Sequence, residues 1–354
     1  MQTGARHHTK FMPLSGEIRG SVPSVFTVVR NGMFFLPAFL EYHRRIGFRQ
    51  FCFVDDQSTD GTRELLASQP DCVVFGSPYR YGDEIASPEA GKTEKAAHAW
   101  KRDFPRQYFD GDWLVVLDVD EFLHLPPAHP KVGDLFAEAD RRGVTRIPAA
   151  MVDLYPERAA ELRQQIAPQK IEDFLAHYPF FDCGPYFEWE PGKARPDYTN
   201  HGVLARKFAE HGIRKPGRSN ISSLFRQLFK REALKSTLHK IPVVRWTAGT
   251  EMVGAHRTNN GPDCRALLTI AHFKLTWDLW RRMDYAISSG AYSNGSRKYS
   301  ALETLLERMT RRDEAFTFEG SRRYGGAGGF EAAGVMRGFG AAAADTKNQK
   351  EKHS

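Results

Sequence analysis

Cysteine is scarce: Cys52, Cys72, Cys183 and Cys264 are the only four in 354 residues, and no two form a C-x-x-C pair. Structural zinc sites and disulfide frameworks therefore have no support, and a reducing compartment is the plain expectation. No run approaches the ~18 consecutive apolar residues of a transmembrane helix. Met1 to Lys10 is polar and lacks the apolar core of a signal peptide, so the chain reads as a cytoplasmic protein. It has no internal repeat, no basic low-complexity arm and no motif for binding DNA or RNA. Lys and Arg number 50 against 43 Asp and Glu, a formal +7. That excess does not imply nucleic acid, and leaves anionic small molecules or a membrane surface as partners. Gly91-Lys92-Thr93 lacks the preceding glycine pattern of a P-loop, which removes that nucleotide-binding class.

What the chain does have is Trp113-Leu114-Val115-Val116-Leu117, an apolar run between Gly111-Asp112 and Pro126-Pro127. Its shortness and valine content favour a strand buried on both faces over a helix. Asp118, Asp120 and Glu121 follow at once. Like charges this close raise one another's pKa unless a cation neutralises them. If strand geometry persists, Asp118 and Asp120 face the same side, which suits a hard divalent cation carrying phosphate oxygens. An acidic turn that merely stops the strand is the plainer alternative.

Val25 to Val29, Phe51 to Val54 and Cys72 to Phe75 read as three earlier strands. Helices are expected over Leu36 to Ile46, around Leu65-Leu66 and over Gly91 to Phe104. Alternating strands and helices with short joints imply a parallel sheet, whose strand ends share one edge where ligands bind. Arg30-Asn31, Asp55-Asp56 and Asp118-Val119-Asp120 are such ends, so three distant polar clusters converge on one crevice. Further on, Arg146 to Val152 reads as a strand. Ile241 to Trp246 and Met252 to His256 read as an antiparallel pair, Ala271 to Leu275 as a last strand, and Trp277 to Arg312 as helical. Residues 1–20 read as a flexible leader and 319–354 as a disordered tail.

Val29-Arg30-Asn31, Leu40-Glu41-Tyr42-His43, the string Val54 to Thr62 and Trp113 to Phe122 together resemble bacterial family-2-like glycosyltransferases of the GT-A fold, in the branch whose acidic motif runs D-x-D-E-F. Thinner echoes follow at Ile241 to Trp246, Gly254-Ala255-His256 and Ala271 to Lys274. The resemblance implies one domain over 21–318, with a nucleotide-sugar half at 21–125 and an acceptor half at 126–318. It implies a nucleoside-diphosphate-sugar donor bound by Arg30, Asn31, Asp55, Asp56 and Asp118. It implies Asp118 near the donor's ribose and Mn²⁺ or Mg²⁺ at Asp118 and above all Asp120, with His272, or else His256, completing the metal sphere. Its downstream acidic base has no clean counterpart; Asp153 is the first candidate and Glu188 the second.

The implied role is transfer of a sugar to a glycan or lipid-linked acceptor during assembly of a bacterial surface glycan. A haloacid-dehalogenase-type phosphohydrolase also places D-x-D after a buried strand, but on its first strand and with Thr or Val where this chain has Phe122. A non-catalytic sugar-nucleotide binder is the third reading. Finally, 214–240 sets Ile221, Leu224, Phe225, Leu228 and Phe229 at helical spacing among Arg214, Lys215, Arg218, Arg226, Lys230, Arg231, Lys235 and Lys240. Such a helix packs on the sheet or lies at the inner face of an anionic membrane.

Overall fold

Runs such as Val25 to Val29 are too apolar to leave one face in water, and they form strands covered on both sides. The computed structural model describes residues 9–89, 91–213, 234, 236–290 and 297–340. Nine strands join in one sheet: β1 (Met12–Ser15), β2 (Ser24–Val29), β3 (Gln50–Asp55), β4 (Cys72–Gly76), β5 (Trp113–Val116), β6 (Glu121–His124), β7 (Arg146–Asp153), β8 (His239–Arg245) and β9 (Leu268–His272). Their order is β1-β4-β3-β2-β5-β8-β7-β9-β6. β4, β3, β2 and β5 are parallel neighbours, and β7 and β9 point the same way. β1, β8 and β6 run against them.

Helices α1 (Leu36–Arg45), α2 (Thr62–Ala67), α3 (Ala96–Tyr108), α4 (Val132–Arg141), α5 (Ile171–His177), α6 (Gly202–Glu210), α7 (Leu279–Ser289), α8 (Arg297–Arg311) and α9 (Gly326–Ala332) accompany the sheet. α1 shows how local sequence sets an element. Pro37 opens it, Leu36, Phe39, Leu40 and His43 form its buried stripe, and the chain leaves at Gly47 with φ +109. The result is an α/β fold with a mostly parallel central sheet flanked by helices, compatible with a GT-A-like architecture. Among the described residues no helix is long and apolar enough to cross a membrane.

The antiparallel strands matter for the site. β6 and β8 begin at the edge where the parallel strands end, so Glu121 and His239-Lys240 add their side chains to the same rim as Asp118 and Asp153. The expected pairing of 241–246 with 252–256 does not form. Ile241, Val243 and Val244 are fully buried, and β8 fills the interior position between β5 and β7, while Met252–Val253 pairs with Arg257–Thr258. The third helix starts at Ala96 because Thr93–Lys95 pairs with Glu84–Ala86, and the last sheet strand ends at His272.

Both ends are more ordered than composition suggests. Phe11 is buried against Phe75 and Phe104, and β1 pairs with β4. The tail expected to be disordered from 319 is instead built into the fold as far as 340. Ser321–Arg323 pairs with Phe180–Asp182, and Phe330, Val335, Met336 and Phe339 are buried. A few well-spaced apolar residues anchor a segment that Gly and Ala content alone reads as loose. Residues 1–8, 341–354 and the core of the basic stretch, 214–233, lie outside the described residues. Phe330 packs edge-on against His124, Phe181 and Tyr324. Phe330→Ala should therefore lower unfolding free energy by about 3–5 kcal/mol in urea titrations, whereas a solvated tail would leave it unchanged.

Candidate active site at the strand ends

A cavity of about 360 Å³ opens where the sheet's rim meets α7 and α8. Its floor comes from the ends of β2, β5, β7 and β9 and from the segment leading into β8. Arg30, Asn31, Asp56, Asp118, Asp120, Asp153, His256 and His272 all line it. The convergence of distant polar clusters is thus realised, and the volume suits a small-molecule ligand.

Two predicted residues sit elsewhere. Asp55 is buried with its carboxylate against Arg63 (2.6 Å) and the Ser58 N–H (3.1 Å), and it is not among the lining residues. Adjacent strand residues face opposite sides, so Asp55 builds the loop while Asp56 faces the cavity. Glu188 is exposed on the short Phe187–Glu188 strand and also lies outside the cavity lining. The Asp55–Thr62 string is largely scaffold: Asn31, at φ +50, donates its N–H to Ser58 Oγ (2.9 Å) and accepts from the Thr59 N–H (2.8 Å). Arg30 donates to the Asp56 carbonyl (2.5 Å) and lies over the Tyr285 ring at 4.8 Å, tying β2 to α7.

The Asp56 carboxylate accepts one hydrogen bond, from the Tyr81 N–H (3.2 Å), and its Oδ2 is buried with no partner among the described residues. Burial pushes its pKa up to about 6, against the opposing pull of the Tyr81 N–H and Arg30. Arg30 Nε and Ser236 Oγ, also on the lining, are likewise buried without partners. Buried polar groups left open in a cavity mark where a ligand supplies the missing bonds.

The acidic turn itself is dense with charge. Asp118 takes Lys101 Nζ at 2.7 Å and Lys240 Nζ at 3.7 Å. Burial raises its pKa, but the two lysines outweigh that and hold it below the ordinary carboxylate range. Glu121 is buried, accepts the Asp118 N–H (2.9 Å) and pairs with Lys240 (2.5 Å). Asp120 pairs with Arg282 at 2.7 Å and lies 3.6 Å from His272 Nε2. The other imidazole nitrogen of His272, Nδ1, donates to Asp153 at 2.6 Å. Burial works against protonation of His272, yet Asp120 and Asp153 together raise its pKa to about 10. His256 lies in the wall with its Nδ1 donating to the His239 carbonyl (3.2 Å); burial, then Lys240 and Lys101, push its pKa well down.

This arrangement corrects two further expectations. Asp153 is buried and held by His272, with a lowered pKa, so it orients the imidazole and is a weak proton acceptor for an incoming hydroxyl. Lys240, counted among the cations of a membrane-facing helix, is fully buried on β8 and serves Glu121 and Asp118. Lys101, Lys240, Lys274 and Arg282 are not among the site residues the sequence points to. The signal for Lys101 was present: it lies on the α3 stripe of Ala97, Phe104 and Tyr108, where a lone lysine is buried only when paired.

No family model matches the chain. Over 102 residues it is 31% identical to a glycosyltransferase family 92 protein of rice, Oryza sativa subsp. japonica. The matched stretch is 29% of this chain and 16% of the rice protein, so the chain spans about a sixth of that relative's length. The similarity supports glycosyl transfer in general, and it names family 92 where the motifs resemble family 2.

The pKa of Asp56 makes a prediction about stability. It is about 6 in the fold and near 3.9 unfolded, so the folded state binds the proton more tightly. The associated stability is present below pH ~4 and lost as pH rises through 6, leaving a penalty of roughly 2–3 kcal/mol at pH 8. Asp56→Asn should remove that penalty. Urea denaturation should show the variant more stable than wild type at pH 8, with the gain fading towards pH 4. A variant less stable at pH 8 would contradict the desolvated, ligand-facing placement.

Proposed function

We propose that the chain transfers a glycosyl group from a nucleoside-diphosphate sugar to an acceptor hydroxyl. One observation carries this reading: the rim cavity joins unpartnered polar groups at Arg30 and Asp56 to a charged end at Asp120, His272, Lys274 and Arg282. The partial likeness to a glycosyltransferase supports the same class. The D-x-D-E-F resemblance supports a bacterial family-2-like enzyme acting on a glycan or lipid-linked acceptor in surface glycan assembly.

A divalent cation fits this donor set in a limited way. Among the described residues no group of three or more His, Cys, Asp and Glu side chains is arranged to hold a metal. Asp120 Oδ2 and His272 Nε2 nevertheless converge at 3.6 Å, and Asp153 fixes the imidazole from behind. Mg²⁺ and Mn²⁺ commonly take one or two protein ligands and fill their spheres with phosphate oxygens and water. Asp120 and the neutral form of His272 would hold the ion, which when bound neutralises charge growing on the departing diphosphate.

The chain's own residues do the rest. Asp56 and Arg30 bind the nucleoside end, and Tyr285 keeps Arg30 in place. Arg282 and Lys274 supply fixed positive charge beside the diphosphate. Asp278, buried beside Arg281 and Arg282, anchors the start of α7 over the cavity.

The test is release of nucleoside diphosphate from a panel of UDP-, GDP- and CDP-sugars. Asp120→Asn keeps the shape and removes the charge, so turnover should fall by roughly 10²–10³ or more, with circular dichroism unchanged. Full turnover in that variant, or in wild type with EDTA, would remove the metal from the mechanism. Tight nucleotide binding without release from any donor would favour a non-catalytic binder.

A further inference from the structure

One end of the cavity is uncharged, and neither the nucleoside groups nor the diphosphate groups account for it. It lies where β8 begins, built from Ser236, Thr237 and Leu238 on the approach to that strand, Met151 on β7, and His256. The Met151 N–H donates to the Leu238 carbonyl (2.8 Å). His256 is tied to β8 twice: its carbonyl accepts the Ile241 N–H (2.8 Å), and its Nδ1 donates to the His239 carbonyl (3.2 Å). Ser236 is only 8% exposed, yet its hydroxyl lines the cavity and has no partner among the described residues. The imidazole of His256 is neutral, because burial and then Lys240 and Lys101 push its pKa well down. Its one ring proton is committed to a backbone carbonyl, which leaves Nε2 as an acceptor only.

We propose that Ser236 and His256 are specificity-determining residues which read the hydroxyls of the transferred sugar, and that this sugar is a hexose with a free hydroxyl where they meet it. This assignment rests on the glycosyl-transfer reading and on the order of the sheet. A nucleotide sugar runs from nucleoside through diphosphate to sugar. Asp56 follows β3 and Arg30 follows β2, while β8 lies beyond β5, three places from β3 and roughly 14 Å away at the usual strand spacing. With the nucleoside at Arg30 and Asp56 and the diphosphate at Lys274 and Arg282, the sugar is the part of the donor left for the β8 end. The chemistry agrees. Neither side chain carries charge for a phosphate, and a lone pair on Nε2 repels a phosphate or carboxylate oxygen but accepts from a hydroxyl. Ser236 both donates and accepts, and Met151 and Leu238 offer apolar contact to the C–H face of a pyranose ring. Buried groups that hydrogen-bond a hydroxyl reject the analogue lacking it, because they are then left stranded.

The experiment is calorimetric titration without acceptor, in Mn²⁺, of UDP-glucose, UDP-galactose, GDP-mannose and CDP-glucose, and of UDP, GDP and CDP alone. The donor that binds is then compared with its 2-, 3-, 4- and 6-deoxy analogues. Wild type is expected to prefer the parent sugar over at least one deoxy analogue by about 10-fold or more, the cost of stranding a buried hydrogen-bonding group. Ser236→Ala and His256→Phe should each shrink that preference to a few-fold, while the free diphosphate keeps its affinity. Ser236→Ala removes a hydroxyl that has no partner, so its urea midpoint should hold or rise, and it keeps the test open where His256→Phe fails to fold. A serine that merely stabilises the fold would lower that midpoint and weaken donor and diphosphate alike, and that result would overturn the proposal. So would unchanged preferences in both folded variants, or wild type that binds a free diphosphate but none of the four hexose donors. Wild type that binds neither donors nor diphosphates would instead overturn the glycosyl-transfer reading on which the proposal stands.

Discussion

The turn from Asp118 to Glu121 places two carboxylates within one backbone hydrogen bond of each other at a largely dry sheet edge, and it holds because Lys101 and Lys240 are buried beside them. Removing one partner of a buried ion pair typically costs about 3–5 kcal/mol, because the other charge is left without water. Each lysine also fixes architecture. Lys101 ties α3 to the end of β5, and Lys240 ties the start of β8 to the start of β6. β8 then occupies the interior place between β5 and β7, which joins the first four parallel strands to the later half of the sheet. Cavity, turn and sheet order therefore share one electrostatic constraint.

The cavity end of this network is less balanced than its buried end. Asp56, Arg30 and Ser236 keep buried polar atoms without partners, and Asp56 has a raised pKa. Such groups lower stability and leave hydrogen bonds for a ligand to complete. This is the usual tension between a stable fold and a preorganised site.

Strand runs and strand ends were legible in the sequence because both are local. Val25 to Val29, Phe51 to Val54 and Trp113 to Leu117 announce interior strands by composition, and the polar residues after them fall on the ligand edge by topology alone. Asp55 and Asp56 read as a pair by sequence, although adjacent residues on a strand cannot face the same way. The partners of the acids were not. Lys240 meets Glu121 across 119 positions and His272 meets Asp153 across 119, and no periodicity encodes either contact. Lys240 read as a surface cation because its basic neighbours set its context, while the apolar run that begins at Ile241 sets its burial. The segment from 319 to 340 was misread for a related reason, since Phe330 and Val335 gain their sockets only from strands elsewhere in the fold.

Glycosyl transfer from an activated nucleotide donor is tested most directly by calorimetric titration of UDP, GDP and CDP into the whole chain, with and without Mn²⁺. The cavity at Arg30, Asp56 and Asp118 predicts saturable binding of at least one of the three, tightened when Mn²⁺ joins Asp120 and His272. No heat of binding from any of them, in either condition, would contradict it.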